Sequence, residues 1–210
     1  MRTLTTLAAF VAFGVSALAI GPVPRTAKEF DFVDANGKHT LLSNYKGKVV
    51  LIQFLLTTCP HCQAMSRDLL AKLQTELGPK GFQAVGVVIN DPEPGGRSSK
   101  ADMAKDYQAG WSNSGAQRSQ FSGPLNFPVS YASRETILSF LEASVMDRLM
   151  FPHVVVIDKK GQIRAESKTE GSAELQNEAE LTKLLTGLLK EPATSSATKK
   201  APVVAATVTK

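Results

Sequence analysis

Runs of apolar residues, alternation and helical spacing occupy separate stretches of the chain, and each pattern predicts a different element. Lys48-Val49-Val50-Leu51-Ile52-Gln53-Phe54-Leu55-Leu56 is nearly continuous, apolar and rich in β-branched residues. That is the pattern of a strand buried on both faces. Gln83 to Asn90, carrying Ala84-Val85-Gly86-Val87-Val88-Ile89, predicts a second. Between them, from Gln63 to Leu77, Met65, Leu69, Leu73 and Leu77 recur every fourth residue with Leu70 beside them. This predicts a helix, and Gly78-Pro79 ends it.

The flanking stretches complete the pattern. Phe30-Asp31-Phe32-Val33 and Thr40-Leu41-Leu42 enclose Asp34-Ala35-Asn36-Gly37-Lys38, a hairpin whose glycine takes positive φ without a steric cost. Ser99, with Asp102 three residues on, predicts a capped helix to about Gln108. Residues 110–126 are polar and have no period. Phe127 to Tyr131 predicts a short strand, and its proline places it at an edge. Ser133 caps a helix through about Met146, with Ile137, Leu138, Phe140 and Leu141 as its apolar face. Val154 to Ile157 is a strand, Asp158 to Gly161 a turn, and Gln162 to Lys168 the returning strand. The last helix, about Ala173 to Lys190, shows Leu181, Leu184, Leu185 and Leu188 as one stripe. Alternating elements of this kind predict an α/β fold: a mixed central sheet with helices on both faces and a hairpin at its N-terminal side.

The two ends of the chain differ from this body. After Met1-Arg2, residues 4–20 are uncharged and largely apolar, and Ala17-Leu18-Ala19 is a small-x-small site. This predicts a signal peptide over residues 1–19 and export to the periplasm or the exterior. A membrane is a partner only if the segment stays uncleaved as an anchor. Residues 20–27 read as a linker. Residues 191–210 are, after Glu191, Pro, Ala, Thr, Ser, Val and Lys without period, the composition of a disordered tail. With both ends set aside, the net charge of +5 falls to about +2 for the body. There is no basic stripe with interleaved aromatics, and nucleic acid is not expected as a partner.

The candidate chemistry is Cys59-Pro60-His61-Cys62, which contains both cysteines of the chain. The pair lies where the first buried strand gives way to the helix. There, free backbone N–H groups and the macrodipole favour a thiolate. Pro60 suits a first helical turn, where its missing N–H loses nothing. A purely structural disulfide is disfavoured, because so small a loop removes little unfolded-chain entropy. The two cysteines with His39, His61 and His153 make a poor tetrahedral zinc set by spacing. No cofactor or metal is expected.

Taken together, these stretches resemble the thioredoxin superfamily, and most closely its TlpA/ResA-type and redoxin/AhpC-TSA-like members. The resemblance is carried by Phe30-Asp31-Phe32 with Asp34, Gly37-Lys38, Leu42-Ser43 and Tyr45 to Leu51, by Phe54 with the Cys59–Cys62 pair, by Val87 to Asp91, and by Phe151-Pro152-His153 leading into Val154 to Asp158 and Gly161. It spans roughly residues 28–190. It implies a thioredoxin-like fold and a thiol–disulfide oxidoreductase whose partners are protein thiols and disulfides and a further redox protein. Cys59 would attack and Cys62 resolve. Pro60 and His61 would tune the pair. Pro152 would be a cis-proline facing the cysteines, with Phe151 offering its backbone to substrate.

Three positions depart from the family. Thr58 stands where Trp commonly precedes the first cysteine. Gln53 stands where thioredoxin itself has a buried Asp six positions before the first cysteine, so that proton acceptor is missing and water or another residue must serve. The span between Cys62 and Pro152 is long, which makes residues 92–126 an insertion before the cis-proline strand, a lid or partner surface. Within it, Ser112, Ser114, Gln117 and Ser119 suggest a solvated loop. The Pro-His dipeptide resembles that of the oxidant DsbA, whereas the wider sequence resembles reductants, so the direction of electron flow stays open. Two other functions compete. A peroxiredoxin-like peroxidase would need Thr and Pro where Leu56 and Ile52 stand. A copper-binding assembly protein would use Cys59, Cys62 and His153.

Overall fold

The computed structural model describes residues 22–92, 94, 98–114 and 117–193. The expected signal peptide and most of the expected tail lie outside them. Among the described residues ten strands and five α-helices follow one another: β1 (Arg25–Thr26), β2 (Asp31–Asp34), β3 (His39–Leu41), β4 (Val49–Leu55), α1 (Pro60–Ala64), α2 (Ala71–Leu77), β5 (Phe82–Val88), α3 (Lys100–Gln108), β6 (Trp111–Ser114), β7 (Gln117–Gln120), β8 (Val129–Tyr131), α4 (Arg134–Leu141), β9 (His153–Ile157), β10 (Gln162–Glu166) and α5 (Glu178–Lys190). A π-helical stretch, Met65–Leu70, joins α1 to α2 without a break.

Eight strands form one sheet in the order β1-β10-β9-β4-β5-β8-β2-β3. β4, β5 and β8 are parallel, and the other pairings are antiparallel. The expected mixed sheet is what forms. β4 is central because all seven of its residues are buried. Each large apolar side chain taken from water there contributes about 1.5–3 kcal/mol. Alternation along the strands divides the core in two. One face carries Val49, Leu51 and Leu55 against Leu69, Leu70, Leu73, Met103, Tyr107, Leu181 and Leu185. The other carries Val50, Ile52 and Phe54 against Phe30, Ile137, Phe140 and Leu141. Helices therefore cover both faces.

Four expectations change. β8 is not an edge strand: β5 flanks it on one side and β2 on the other. Pro128 precedes the strand, and its carbonyl accepts from the Gly86 N–H at 3.0 Å, so its missing donor falls outside the ladder. The α4 helix ends at Leu141, five residues short of Met146. Glu142 turns to φ 60°, and the Ala143 N–H bonds back to the Leu138 carbonyl at 3.0 Å. Residues 92–126 are not wholly an insertion. Parallel β5 and β8 require a crossover, and α3 supplies it, with Met103, Ala104 and Tyr107 buried. The added element is the β6–β7 hairpin. Finally, Arg25 and Thr26, within the expected linker, pair with Ile163 and Gln162 of β10.

Candidate functional site

β4 ends at Leu55, and the chain turns through Leu56-Thr57-Thr58 to Cys59, the N-cap of α1. The turn is held from several sides. The Thr57 N–H donates to Asn90 Oδ1 at 3.1 Å, and Asn90 Nδ2 donates to Thr57 Oγ1 at 3.4 Å. The Thr57 carbonyl accepts from Gln63 Nε2 at 2.7 Å and from Ser112 Oγ at 3.0 Å. Ser112 is thus buried and carries the β6–β7 hairpin onto the turn, contrary to its expected place in a solvated loop. Pro60 and Thr58 are exposed.

The two cysteines are unequal. Cys59 is half-buried and Cys62 fully buried. The Cys62 N–H donates to Cys59 Sγ at 3.4 Å, so the cap position supplies a backbone donor to the outer sulfur. Across from it, the Phe151–Pro152 peptide is cis, and the Phe151 carbonyl accepts from Cys59 Sγ at 3.9 Å. Burial, followed by the hydrogen bond to Cys59, pushes the Cys62 thiol far above its ordinary range.

Gln53 does stand under the pair, and it is wired. Its Nε2 donates to the Cys62 carbonyl at 3.0 Å, and its Oε1 accepts from Ser66 Oγ at 2.7 Å. Ser66 Oγ also lies 3.0 Å from the Tyr107 hydroxyl. A serine hydroxyl has one proton, already given to Gln53, so Tyr107 is the donor in that contact. The chain Tyr107→Ser66→Gln53→Cys62 C=O is directional and neutral throughout. Burial raises the Tyr107 hydroxyl well above its usual range, outweighing the bond to Ser66. Ser66 belongs to the π-helical stretch Met65–Leu70, an irregularity often found beside functional groups.

The histidines separate. His39 is exposed and bonds Asp31 at 2.6 Å. His61 is exposed on α1, beside a groove lined by Met65, Asp68, Leu69 and Glu178. His153 begins β9 fully buried, paired with Phe54 in register and 6.3 Å from its ring. It therefore faces the side of the sheet opposite the cysteines, where its Nε2 lies 3.5 Å from Glu166 Oε1. This removes it from the three-ligand copper set. Among the described residues no group of three His, Cys, Asp or Glu could hold a metal ion. The structure brings the expected Cys59, Cys62 and cis Phe151–Pro152 step together. Sequence reasoning missed the contacts that Asn90, Ser66, Tyr107 and Ser112 make between distant segments.

A half-exposed capping cysteine, a buried partner and a cis-proline loop on a mixed sheet define a thioredoxin-like dithiol site. The Redoxin family profile matches residues 22–185, and the chain belongs to that family, the oxidoreductase class its fold and Cys-x-x-Cys pair had indicated. A thiol:disulfide interchange protein of Chlorobium tepidum superposes with a TM-score of 0.56 at 21% identity, over 80% of this chain and 99% of its own. The thioredoxin domain of a thiol-disulfide oxidoreductase from Bacteroides vulgatus gives 0.51 at 22%, over 76% and 96%. Such likenesses establish the fold. In sequence, a probable glutathione peroxidase of Xenopus laevis is 34% identical over 79 residues. That match covers 36% of this chain and 37% of the relative.

Proposed function

We propose that the protein is an exported thiol–disulfide oxidoreductase acting on protein substrates. The observation that carries this reading is the inequality of the two sulfurs. Cys59 is reachable and capped by a backbone N–H at 3.4 Å, whereas Cys62 is buried directly behind it. In the reductive direction the Cys59 thiolate attacks one substrate sulfur. The substrate S–S bond breaks, one substrate thiolate leaves, and a Cys59–substrate disulfide forms. Cys62 then attacks Cys59 Sγ and displaces the second substrate thiolate. Two electrons pass to the substrate, and the dithiol becomes a disulfide. Gln53 can take no proton and its amide is committed at both ends, so the Cys62 proton goes to water or to the departing substrate sulfur. The oxidative direction is the reverse.

Phe151 supports substrate placement, since its carbonyl already meets Cys59 Sγ. His61, exposed one residue beyond Pro60, tunes the pair. The apolar residues 4–20 support export. The test is disulfide exchange with insulin, together with the reduction potential of the pair. A value near −270 mV assigns a reductant and one near −120 mV an oxidant. Wild-type activity in Cys59→Ser rejects the proposal.

The glutathione peroxidase relatives favour a second reading, a thiol peroxidase. Ile52 and Leu56 stand where peroxiredoxins carry Pro and Thr, which weighs against that form of the chemistry. Thiol-dependent peroxide consumption by the purified protein decides it.

A further inference from the structure

Leu42, Tyr45, Val50 and Ile157 line a cavity of about 210 Å³ on the face of the sheet away from the cysteines. Its walls come from the chain after β1, from the turn between Leu42 and Lys48, and from the β9–β10 turn. Those segments are tied to one another and to the sheet. The Ala27 N–H donates to the Gly161 carbonyl at 2.9 Å, and the Gly47 N–H donates to the Lys159 carbonyl at 3.2 Å. The Leu42 N–H donates to the Phe30 carbonyl at 2.8 Å. Asp158 Oδ1 accepts from the Lys160 and Gln162 N–H groups at 2.9 and 3.0 Å, which fixes the β9–β10 turn. The cavity is therefore preformed, as small-molecule sites usually are.

Floor and rim differ in chemistry. Leu42, Val50 and Ile157 are buried and apolar. The Tyr45 ring lines the same cavity and packs edge-on against Phe32 at 5.9 Å. Lys46, Lys48 and Lys160 also line it, all exposed, and none makes an ion pair among the described residues. The other charges there are engaged. Lys28 lies 3.3 Å from Glu142, and Asp158 lies 2.9 Å from Arg164. Glu29 Oε1 accepts from the Phe30 and Ser43 N–H groups at 3.2 and 3.0 Å. Set against the Glu29 carboxylate, the three lysines leave two positive charges in excess. The Tyr45 hydroxyl makes no hydrogen bond among the described residues. Burial raises its pKa, so it stays a donor at neutral pH.

We propose that this cavity binds a small aromatic carboxylate, its ring on Leu42, Val50 and Ile157 and its carboxylate among Lys46, Lys48 and Lys160. An apolar cavity of about 150 Å³ holds a benzene ring. The volume here therefore admits one ring with a short acidic substituent. A wholly polar anion would leave the apolar floor uncovered, and a neutral ring would leave the lysines without a counter-charge. Tyr45 adds an aromatic wall and a free donor. The site is separate from the dithiol. Val50 stands five residues before Leu55, about 17 Å along β4, and its side chain belongs to the core layer opposite Cys62. The assignment does not depend on the exchange reading.

The full chain is titrated with phenylacetate, phenylacetamide and acetate, followed by calorimetry and by backbone amide resonances. Phenylacetate should saturate and shift Ala27, Tyr45, Val50 and Ile157, while Cys59 and Cys62 stay unshifted. Phenylacetamide keeps the ring without the charge, and acetate keeps the charge without the ring. Each should bind about tenfold more weakly or worse. Lys46→Gln/Lys160→Gln should weaken phenylacetate about tenfold and leave phenylacetamide unchanged. These lysines are exposed, so the thermal midpoint should stay at the wild-type value, and Lys48→Gln provides an independent second variant. The inference is overturned if no saturable shift appears at the cavity. It is equally overturned if phenylacetamide or acetate matches phenylacetate, or if both lysine variants keep full affinity.

Discussion

Gln53 and Phe54 are consecutive on β4, and His153 and Val154 are consecutive on β9, yet each pair divides between opposite faces of the sheet. In register, Gln53 opposes Val154 and Phe54 opposes His153. The cysteine face therefore buries an uncharged chain, Tyr107, Ser66 and Gln53, ending on a backbone carbonyl. The opposite face buries His153, Glu166 and Arg25 among phenylalanines. The difference is instructive because a buried charge beside a thiol would shift its ionisation. Here the charged cluster lies on the far side, where Arg25 also meets the Leu141 carbonyl and Glu142, and the groups touching the inner cysteine carry no charge. Gln53, an amide, sits on the cysteine face.

The largest test of that division is on the cysteines. Cys59→Ser should abolish exchange, and Cys62→Ser should accumulate the Cys59–substrate disulfide, visible by intact mass. Native alkylation near pH 8 should label Cys59 alone. Burial holds Cys62 as a thiol through that range, and only the thiolate reacts. Equal labelling of both residues would erase the inequality on which the site rests.

Next in size is the charged face. Glu166 is 3% exposed in its side chain and lies 2.5 Å from Arg25, though without hydrogen-bond alignment. Removing one partner of a buried pair leaves the other uncompensated. Glu166→Ala should cost roughly 3 kcal/mol, reduced somewhat because Arg25 keeps Glu142 and the Leu141 carbonyl. At about 2–4 °C per kcal/mol for a domain of this size, the thermal midpoint should drop by roughly 6–12 °C. A matching collapse in the Cys59 alkylation rate would show that the two faces are coupled after all.

Gln53→Leu acts on the other side and should cost about 2 kcal/mol, because the Cys62 carbonyl and the Ser66 hydroxyl lose a buried partner. Chemical denaturation measures it. A variant as stable as wild type would mean that the amide is not needed to hold the inner cysteine's backbone.

How far these faces were legible in sequence follows from the kind of signal each residue gives. The fully buried strands β4, β5 and β9 announce themselves by composition, and the Ser99–Asp102 capping box forms as expected, with the Asp102 N–H donating to Ser99 Oγ at 3.1 Å. Cys59 and Cys62 are legible because strand, pair and helix are contiguous. Tyr107 and Ser66 are 41 residues apart, and nothing local in either predicts their meeting. Ser112 misled for a related reason: a serine in a polar stretch has the composition of a loop whether or not a carbonyl waits for it. His153 is the reverse case. Its neighbour Pro152 marked the site, but the two-residue period of a strand turned its ring to the other side. The left-handed turn at Glu142 that stops helix α4 short of Met146 carries no glycine to signal it.

The smallest effect falls at the far end of the neutral chain. Tyr107→Phe keeps the ring packing, which includes Phe121 at 4.8 Å, and removes one donor to Ser66. Ser66 still donates to Gln53, so the loss near pH 7 should be about 1 kcal/mol. Its pH dependence carries the information. Burial raises the Tyr107 hydroxyl above its ordinary value of 10.0, so the folded state disfavours the tyrosinate. The stability linked to the protonated phenol is complete below the unfolded value and is lost as pH climbs above it. Cys62, also raised, adds a loss that begins near its ordinary 9.0 in both proteins. Wild type should therefore lose stability faster than Tyr107→Phe once pH exceeds about 10, and the gap between them should narrow. Denaturant midpoints at pH 7, 9 and 10.5 test this. A gap that stays constant would place the Tyr107 hydroxyl in contact with water and break the neutral, dry character assigned to the cysteine face.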